Sequence, residues 1–103
     1  MAGQIKIEEN TRVKFKVKEP RMYQVVMYND DFTPMDFVVE ILIEIFDKTE
    51  EEAFRLMYAV HRGTKASVGV YVYDIACTKA DEAVKRAREA GYPFRVEALP
   101  VNK

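Results

Sequence analysis

From Met22 to Tyr28 the chain is apolar, β-branched and aromatic, broken only by Gln24, and this predicts a strand. The pattern then breaks into the polar turn Asn29-Asp30-Asp31-Phe32-Thr33-Pro34. From Met35 to Asp47 it resumes as an apolar run interrupted only by Asp36, Glu40, Glu44 and Asp47. Those acids recur at i, i+4, i+8 and i+11, a narrow stripe on a helix covered on most other sides. Thr33 suits the N-cap of this helix, Pro34 its first position, and Asp36 the place from which a capping acid reaches back. A second helix start comes at Thr49, with Glu52 completing a capping box, and Ala53, Leu56, Met57 and Val60 mark one face. Gly63 is placed to end it as a left-handed residue. Only Asp47 and Lys48 separate the two helices, which predicts an αα-hairpin. Ala66 to Tyr73 sets Val68, Val70 and Val72 against Ser67, Gly69, Tyr71 and Tyr73, the alternation of a half-buried strand. Asp74 can cap a third helix that runs to about Ala90 and stops at Gly91. Its inward face is small: Ala76, Ala80, Ala83, Val84 and Ala87. Pro93 leads into a short last strand, Phe94 to Leu99. The order β-α-α-β-α-β predicts an α+β fold with a three-stranded antiparallel sheet packed against three helices.

Residues 1–20 differ in character from the rest of the chain. Lys6, Arg12, Lys14, Lys16 and Lys18 outnumber Glu8, Glu9 and Glu19, and Val13, Phe15 and Val17 alternate with lysines. Three apolar residues bury too little to order a segment, and Pro20 interrupts any ladder. The segment reads as a flexible N-terminal extension that becomes extended on a partner, and residues 21–103 read as the core domain.

Composition narrows the class. A chain of 103 residues holds one core, and 49% hydrophobic residues, with six Tyr and six Phe, are enough to fill it. A net charge of −1 makes no general case for binding nucleic acid or a membrane. The single cysteine, Cys77, fits a reducing compartment. No apolar run is long enough to span a bilayer, and Met1 to Lys6 lacks the apolar centre of a secretory signal. A cytoplasmic protein is expected.

Candidate chemistry gathers around the turn and the single histidine. Asn29, Asp30 and Asp31 precede a helix start, where such residues also serve as ordinary turn formers. His61 lies four residues after Met57 and shares its face. A lone histidine near a helix C-terminus is favourable there without any function. Asp30, Asp31 and one histidine make a poor metal site, and catalysis by Asp30 and His61 lacks a nucleophile or a cofactor motif. Binding uses the same groups better. Asn29 offers an amide oxygen, Asp30 a carboxylate and neutral His61 a ring nitrogen, three acceptors for an ammonium with three donors. Met35, Val38, Met57 and Val60 would line an apolar cavity beside them, although such stripes are more often core.

Residues Pro20 to Val38, with Asn29-Asp30-Asp31-Phe32-Thr33-Pro34-Met35 at their centre, closely resemble the signature of the ClpS family. Leu56 to His61 and Gly69-Val70 through Thr78-Lys79 match the same family in order and spacing. The resemblance implies an adaptor core without enzymatic activity or cofactor, folded like the C-terminal domain of the ribosomal stalk protein. It further implies recognition of Phe, Tyr, Trp or Leu at a substrate's N-terminus and delivery to a ClpA-type AAA+ unfoldase and its ClpP protease. Asn29, Asp30 and His61 resemble the α-amino contacts, with Asp31 at the rim. Thr33, Met35, Val38, Met57, Val60 and Phe94 resemble the side-chain pocket, Phe94 standing where the family often has leucine. Asp74, a shortening of the usual glutamate, and Lys79 resemble the positions that dock on the unfoldase's N-terminal domain. Alternatively, Asp74 is a helix cap and Lys79 a solvated charge. A monomer is expected, with no nucleic acid or metal.

The energetics suit such a role. Burying a large first side chain contributes roughly 1.5–3 kcal/mol, and each charge-assisted hydrogen bond to the ammonium about 1.5–3 kcal/mol before ordering costs. A free amine and a fitting side chain are then both required. A stalk-like interaction domain without a pocket, or a small hydrolase using Asp30 and His61, are the other readings.

Overall fold

The computed structural model describes residues 20–101. The expected extension, apart from Pro20, therefore lies outside the described residues. The run Met22–Tyr28 forms β1, the middle strand of the sheet, flanked by β2 (Lys65–Val72) and β3 (Arg95–Pro100), both antiparallel to it. Three helices complete the β-α-α-β-α-β order: α1 (Met35–Glu44), α2 (Glu50–Gly63) and α3 (Tyr73–Glu89). Val25 and Met27 of β1 meet Ile41, Leu42, Met57 and the alanines of α3 in one core. The expected architecture is the one observed.

The helix ends differ from expectation in ways that bear on the site. Thr33 does not cap α1. The position before Met35 is Pro34, which offers no side-chain acceptor, and Asp36 gives the first turn only its charge. Thr33 instead hydrogen-bonds to Asp30. At the other end α1 stops at Glu44 rather than Asp47. Asp47 takes φ 58°, and the Lys48 amide reaches back six residues to the Leu42 carbonyl at 3.1 Å, which closes the helix end. The capping box of α2 is present in both halves, Thr49 to Glu52 and back. Its left-handed residue is Thr64, φ 69°, while Gly63 stays helical, because the chain must reverse directly into β2. Asp74 is not the cap of α3. The helix starts at Tyr73, two residues earlier than a cap at Asp74 would place it, and leaves Asp74 exposed in its first turn.

The expected burial of Val68, Val70 and Val72 holds for Val68 alone. Val25 pairs with Gly69 and Val26 with Ser67, so Val68 is an extra residue in β2. This bulge reverses the side-chain alternation beyond it. Val70 becomes 52% exposed on the open face of the sheet, and Tyr71 turns toward the core. Tyr71 folds back over Gly69, where any β-carbon would run into its ring. Ala76, Ala80, Ala83 and Ala87 are all buried, which lets α3 lie close on the sheet. Gly91, φ 87°, closes α3, and Phe94 is buried just before β3 begins at Arg95.

Candidate functional site

Two backbone features bring the polar turn and the histidine together. The Asn29 amide, at the end of β1, donates to the Thr64 carbonyl at 2.8 Å, three residues past His61. Tyr28 pairs with Lys65 in the adjoining ladder. The turn therefore sits against the C-terminal end of α2, and a cavity of about 350 Å³ opens between them. That volume lies at the lower end for ligand pockets, enough for one large side chain and its backbone.

Asn29, Asp30, His61, Thr33, Met35, Val38, Met57, Val60 and Phe94 all line this cavity. Val38, Met57, Val60 and Phe94 are buried and make an apolar well, with Phe94 only 1% exposed. Met57, Val60 and His61 stand at i, i+3 and i+4, so one face of α2 supplies both wall and rim. Met35 and Val38 do the same from α1. Met35, in the first turn, remains 41% exposed at the mouth. Asn29, Asp31 and His61 are exposed around the opening. Asp74 and Lys79 lie elsewhere.

The turn is built on Asp30. Its Oδ1 accepts from the amides of Phe32 (2.8 Å) and Thr33 (2.7 Å), and its Oδ2 accepts from the Thr33 hydroxyl at 2.8 Å. Partial burial pushes the Asp30 carboxyl up. The bonds from the Thr33 hydroxyl and the two amides, with the charge of Arg88, outweigh burial and hold it below its ordinary value. Three of about four acceptor sites on Asp30 are thus committed within the turn. Asp31, next along the chain, makes no side-chain hydrogen bond among the described residues.

Several residues of the site escaped the reading of the sequence. Tyr28, Phe32 and Pro34 also line the cavity, as does Asp31, anticipated only at the rim. Arg88 does not line it but donates from one nitrogen to the carbonyls of Tyr92 and Phe94, each at 2.9 Å, and so fixes the segment that seats Phe94. Its acceptors lie only four and six residues on, so an arginine in the last turn of the helix was the one local signal available. Behind the cavity, the Tyr28 hydroxyl donates to Glu97 at 3.0 Å, and Arg95 donates to the other Glu97 oxygen while lying 4.2 Å from the Tyr28 ring centre.

Lys79 is neither solvated nor free. Its ammonium donates to the Ile45 carbonyl at 2.6 Å, stands 3.7 Å from Asp47, and lies over the rings of Phe46 and Tyr71. It caps the C-terminal end of α1 from α3. Among the described residues no group of three His, Cys, Asp or Glu could hold a metal ion, and no helix is long and apolar enough to cross a membrane.

Residues 18–97 match the family model described as ATP-dependent Clp protease adaptor protein ClpS. The chain belongs to the ClpS family. It is 49% identical to the ATP-dependent Clp protease adapter protein ClpS of Treponema denticola over 94 residues, 91% of this chain and 93% of that one. It is 51% identical to the protein of the same name from Nitratidesulfovibrio vulgaris over 83 residues, 81% of this chain and 80% of the other. The fold matches the structure of Agrobacterium tumefaciens ClpS2 bound to L-phenylalaninamide with a TM-score of 0.79 and 40% identity, covering 81% of this chain and all of that one. Proteins of the ClpS family are adaptors of a protease and not enzymes.

Proposed function

We propose that this ClpS-family chain captures polypeptides by their N-terminal residue and delivers them to a Clp protease. The observation that carries the reading is the cavity itself, an apolar well of Val38, Met57, Val60 and Phe94 beneath a polar rim of Asn29, Asp31 and His61. L-phenylalaninamide, the ligand of the Agrobacterium relative, has a free α-amine, a benzyl side chain and a carboxamide where a following peptide bond would begin. Each part has a counterpart here: acceptors for the amine, an apolar well for the ring, and an open mouth for the continuing chain.

The acceptors divide the work. The Asn29 amide oxygen, a neutral ring nitrogen of His61 and the Asp31 carboxylate take the three ammonium hydrogens. Asp30, expected from the family resemblance to contact the amine, holds the turn in shape and adds negative charge through its remaining acceptor site. Phe, Tyr, Trp and Leu suit the well as first residues. In this reading the protease partner is a ClpA-type unfoldase with ClpP. Its N-terminal domain docks at the start of α3, where Asp74 is exposed between exposed Tyr73 and Ile75. Lys79 contributes there only by releasing the Ile45 carbonyl.

The test is fluorescence anisotropy with a Phe-initiated peptide and its N-acetylated twin. Binding of the first and at least a hundredfold weaker binding of the second is expected, since acetylation removes the ammonium. Equal affinity for the two would end the proposal.

A further inference from the structure

Phe32 is the most exposed large apolar side chain among the described residues, at 76%, and it borders the cavity. Its backbone is not loose. The Phe32 amide is held by Asp30 at 2.8 Å and the next amide by the same oxygen, so the ring projects from a fixed point. The deeper apolar side chains of the cavity, Val38, Met57, Val60 and Phe94, are packed by their neighbours. A turn tied together by one half-buried carboxylate, presenting an aromatic ring with no aromatic neighbour paired to it among the described residues, suits contact with something that arrives from outside.

We infer that Phe32 selects the second residue of the bound polypeptide, favouring large apolar side chains there. The inference rests on the N-terminal capture proposed above. With the first side chain in the well and its amine between Asn29, Asp31 and His61, the first Cα lies at the mouth. The second Cα is then about 3.8 Å away. Phe32 adjoins Asp31 in the chain, so its ring is within one side-chain length of that second residue. The deep well cannot read this position, because the first side chain fills it. Covering part of an exposed ring with an apolar side chain removes water from both surfaces, and an area of some tens of Å² corresponds to about a fivefold gain in affinity. A glycine at the second position leaves the ring wet. Asp31 and His61 also border the mouth, so neutral second residues keep charge out of the comparison.

The test uses the full chain and peptides of the form Phe-Xaa-Gly-Gly-Lys-dye, with Gly, Ala, Leu or Tyr as Xaa, and a second series with Xaa moved to the third position. Wild type should bind the Leu and Tyr peptides about fivefold more tightly than the Gly peptide, with little change in the third-position series. Phe32→Ser should flatten the second-position series, and Phe32→Leu should keep part of the preference. Unchanged melting temperatures are expected, because the ring packs on little. An equal second-position preference in Phe32→Ser, or a preference confined to the third position, overturns the assignment. Binding of Phe-Gly peptides but not of their N-acetylated forms, with no second-position preference in wild type, sinks this inference and leaves N-terminal capture standing. Failure to distinguish acetylated from free peptides removes both.

Discussion

Asp30 and Thr33 are joined by two hydrogen bonds, the Thr33 amide to Oδ1 at 2.7 Å and the Thr33 hydroxyl to Oδ2 at 2.8 Å. This pairing turns the chain from β1 toward α1 and makes Asp30 a structural acid, while its neighbour Asp31 is left facing solvent at the cavity rim. The two acids should therefore fail differently when changed. Asp30→Ala leaves the amides of Phe32 and Thr33 unpaired, and should lower stability by about 1–3 kcal/mol and weaken peptide binding as the turn loosens. Asp31→Asn should leave the melting temperature within a degree or two and weaken binding about 10- to 100-fold by removing one charge-assisted bond. Thermal melts beside anisotropy titrations separate the two, and an Asp30→Ala variant as stable as wild type would refute the division.

The same pairing sets a pH dependence. The hydrogen bonds hold the Asp30 carboxyl below its ordinary value in the folded chain. A depressed folded value means stabilisation that is fully present above the unfolded value, about 3.9, and lost as pH falls through the lower folded value. Urea unfolding between pH 6 and 2.5 should show stability falling with acid more steeply in wild type than in Asp30→Asn. Parallel curves would show that Asp30 is not held below its ordinary value.

Met35 stands half out of the first turn of α1 at the cavity mouth, 41% exposed. A β-branched first residue places its extra methyl next to its own backbone, and so at the mouth that Met35 borders. Met35→Ala should thus admit Ile- and Val-initiated peptides, narrowing the preference for Leu over Ile by about tenfold, the scale of relieving one overpacked contact. If wild type already binds Ile and Leu peptides equally, Met35 is no gate.

Lys79 and Asp74 separate into a clamp and a surface group. Lys79→Met keeps the aliphatic stem over Phe46 and Tyr71 but removes the donor to the Ile45 carbonyl, and should lower stability by about 1–2 kcal/mol. Asp74→Ala, exposed and not capping α3, should leave stability nearly unchanged and weaken binding to the unfoldase's N-terminal domain. Chemical denaturation and a pull-down with that domain give the two readouts. A stable Lys79→Met protein that fails only to dock would mean the clamp is dispensable.

By itself the sequence determined what neighbouring residues decide between themselves. The capping box of Thr49 and Glu52, the α2 face shared by Met57, Val60 and His61, the alanine face of α3 and the turn between β1 and α1 depend on contacts within four or five residues, so their spacing predicts them. The ClpS resemblance extended this to the members of the cavity, including Phe94, which no local spacing joins to Met35. Tertiary structure alone decided the rest. Val68 bulges because β2 must satisfy β1 on both sides of one extra residue, and no period within β2 reveals its partner's register. Lys79 carries nothing in its neighbours that points to the Ile45 carbonyl just past α1; only the packing of α3 brings that acceptor within reach. Asp30 and Asp31 are equivalent in type and adjacent in position. The path of the chain, tied down where Asn29 meets Thr64, turned one carboxylate into the loop and the other toward the cavity, and that choice set which could remain open to a ligand.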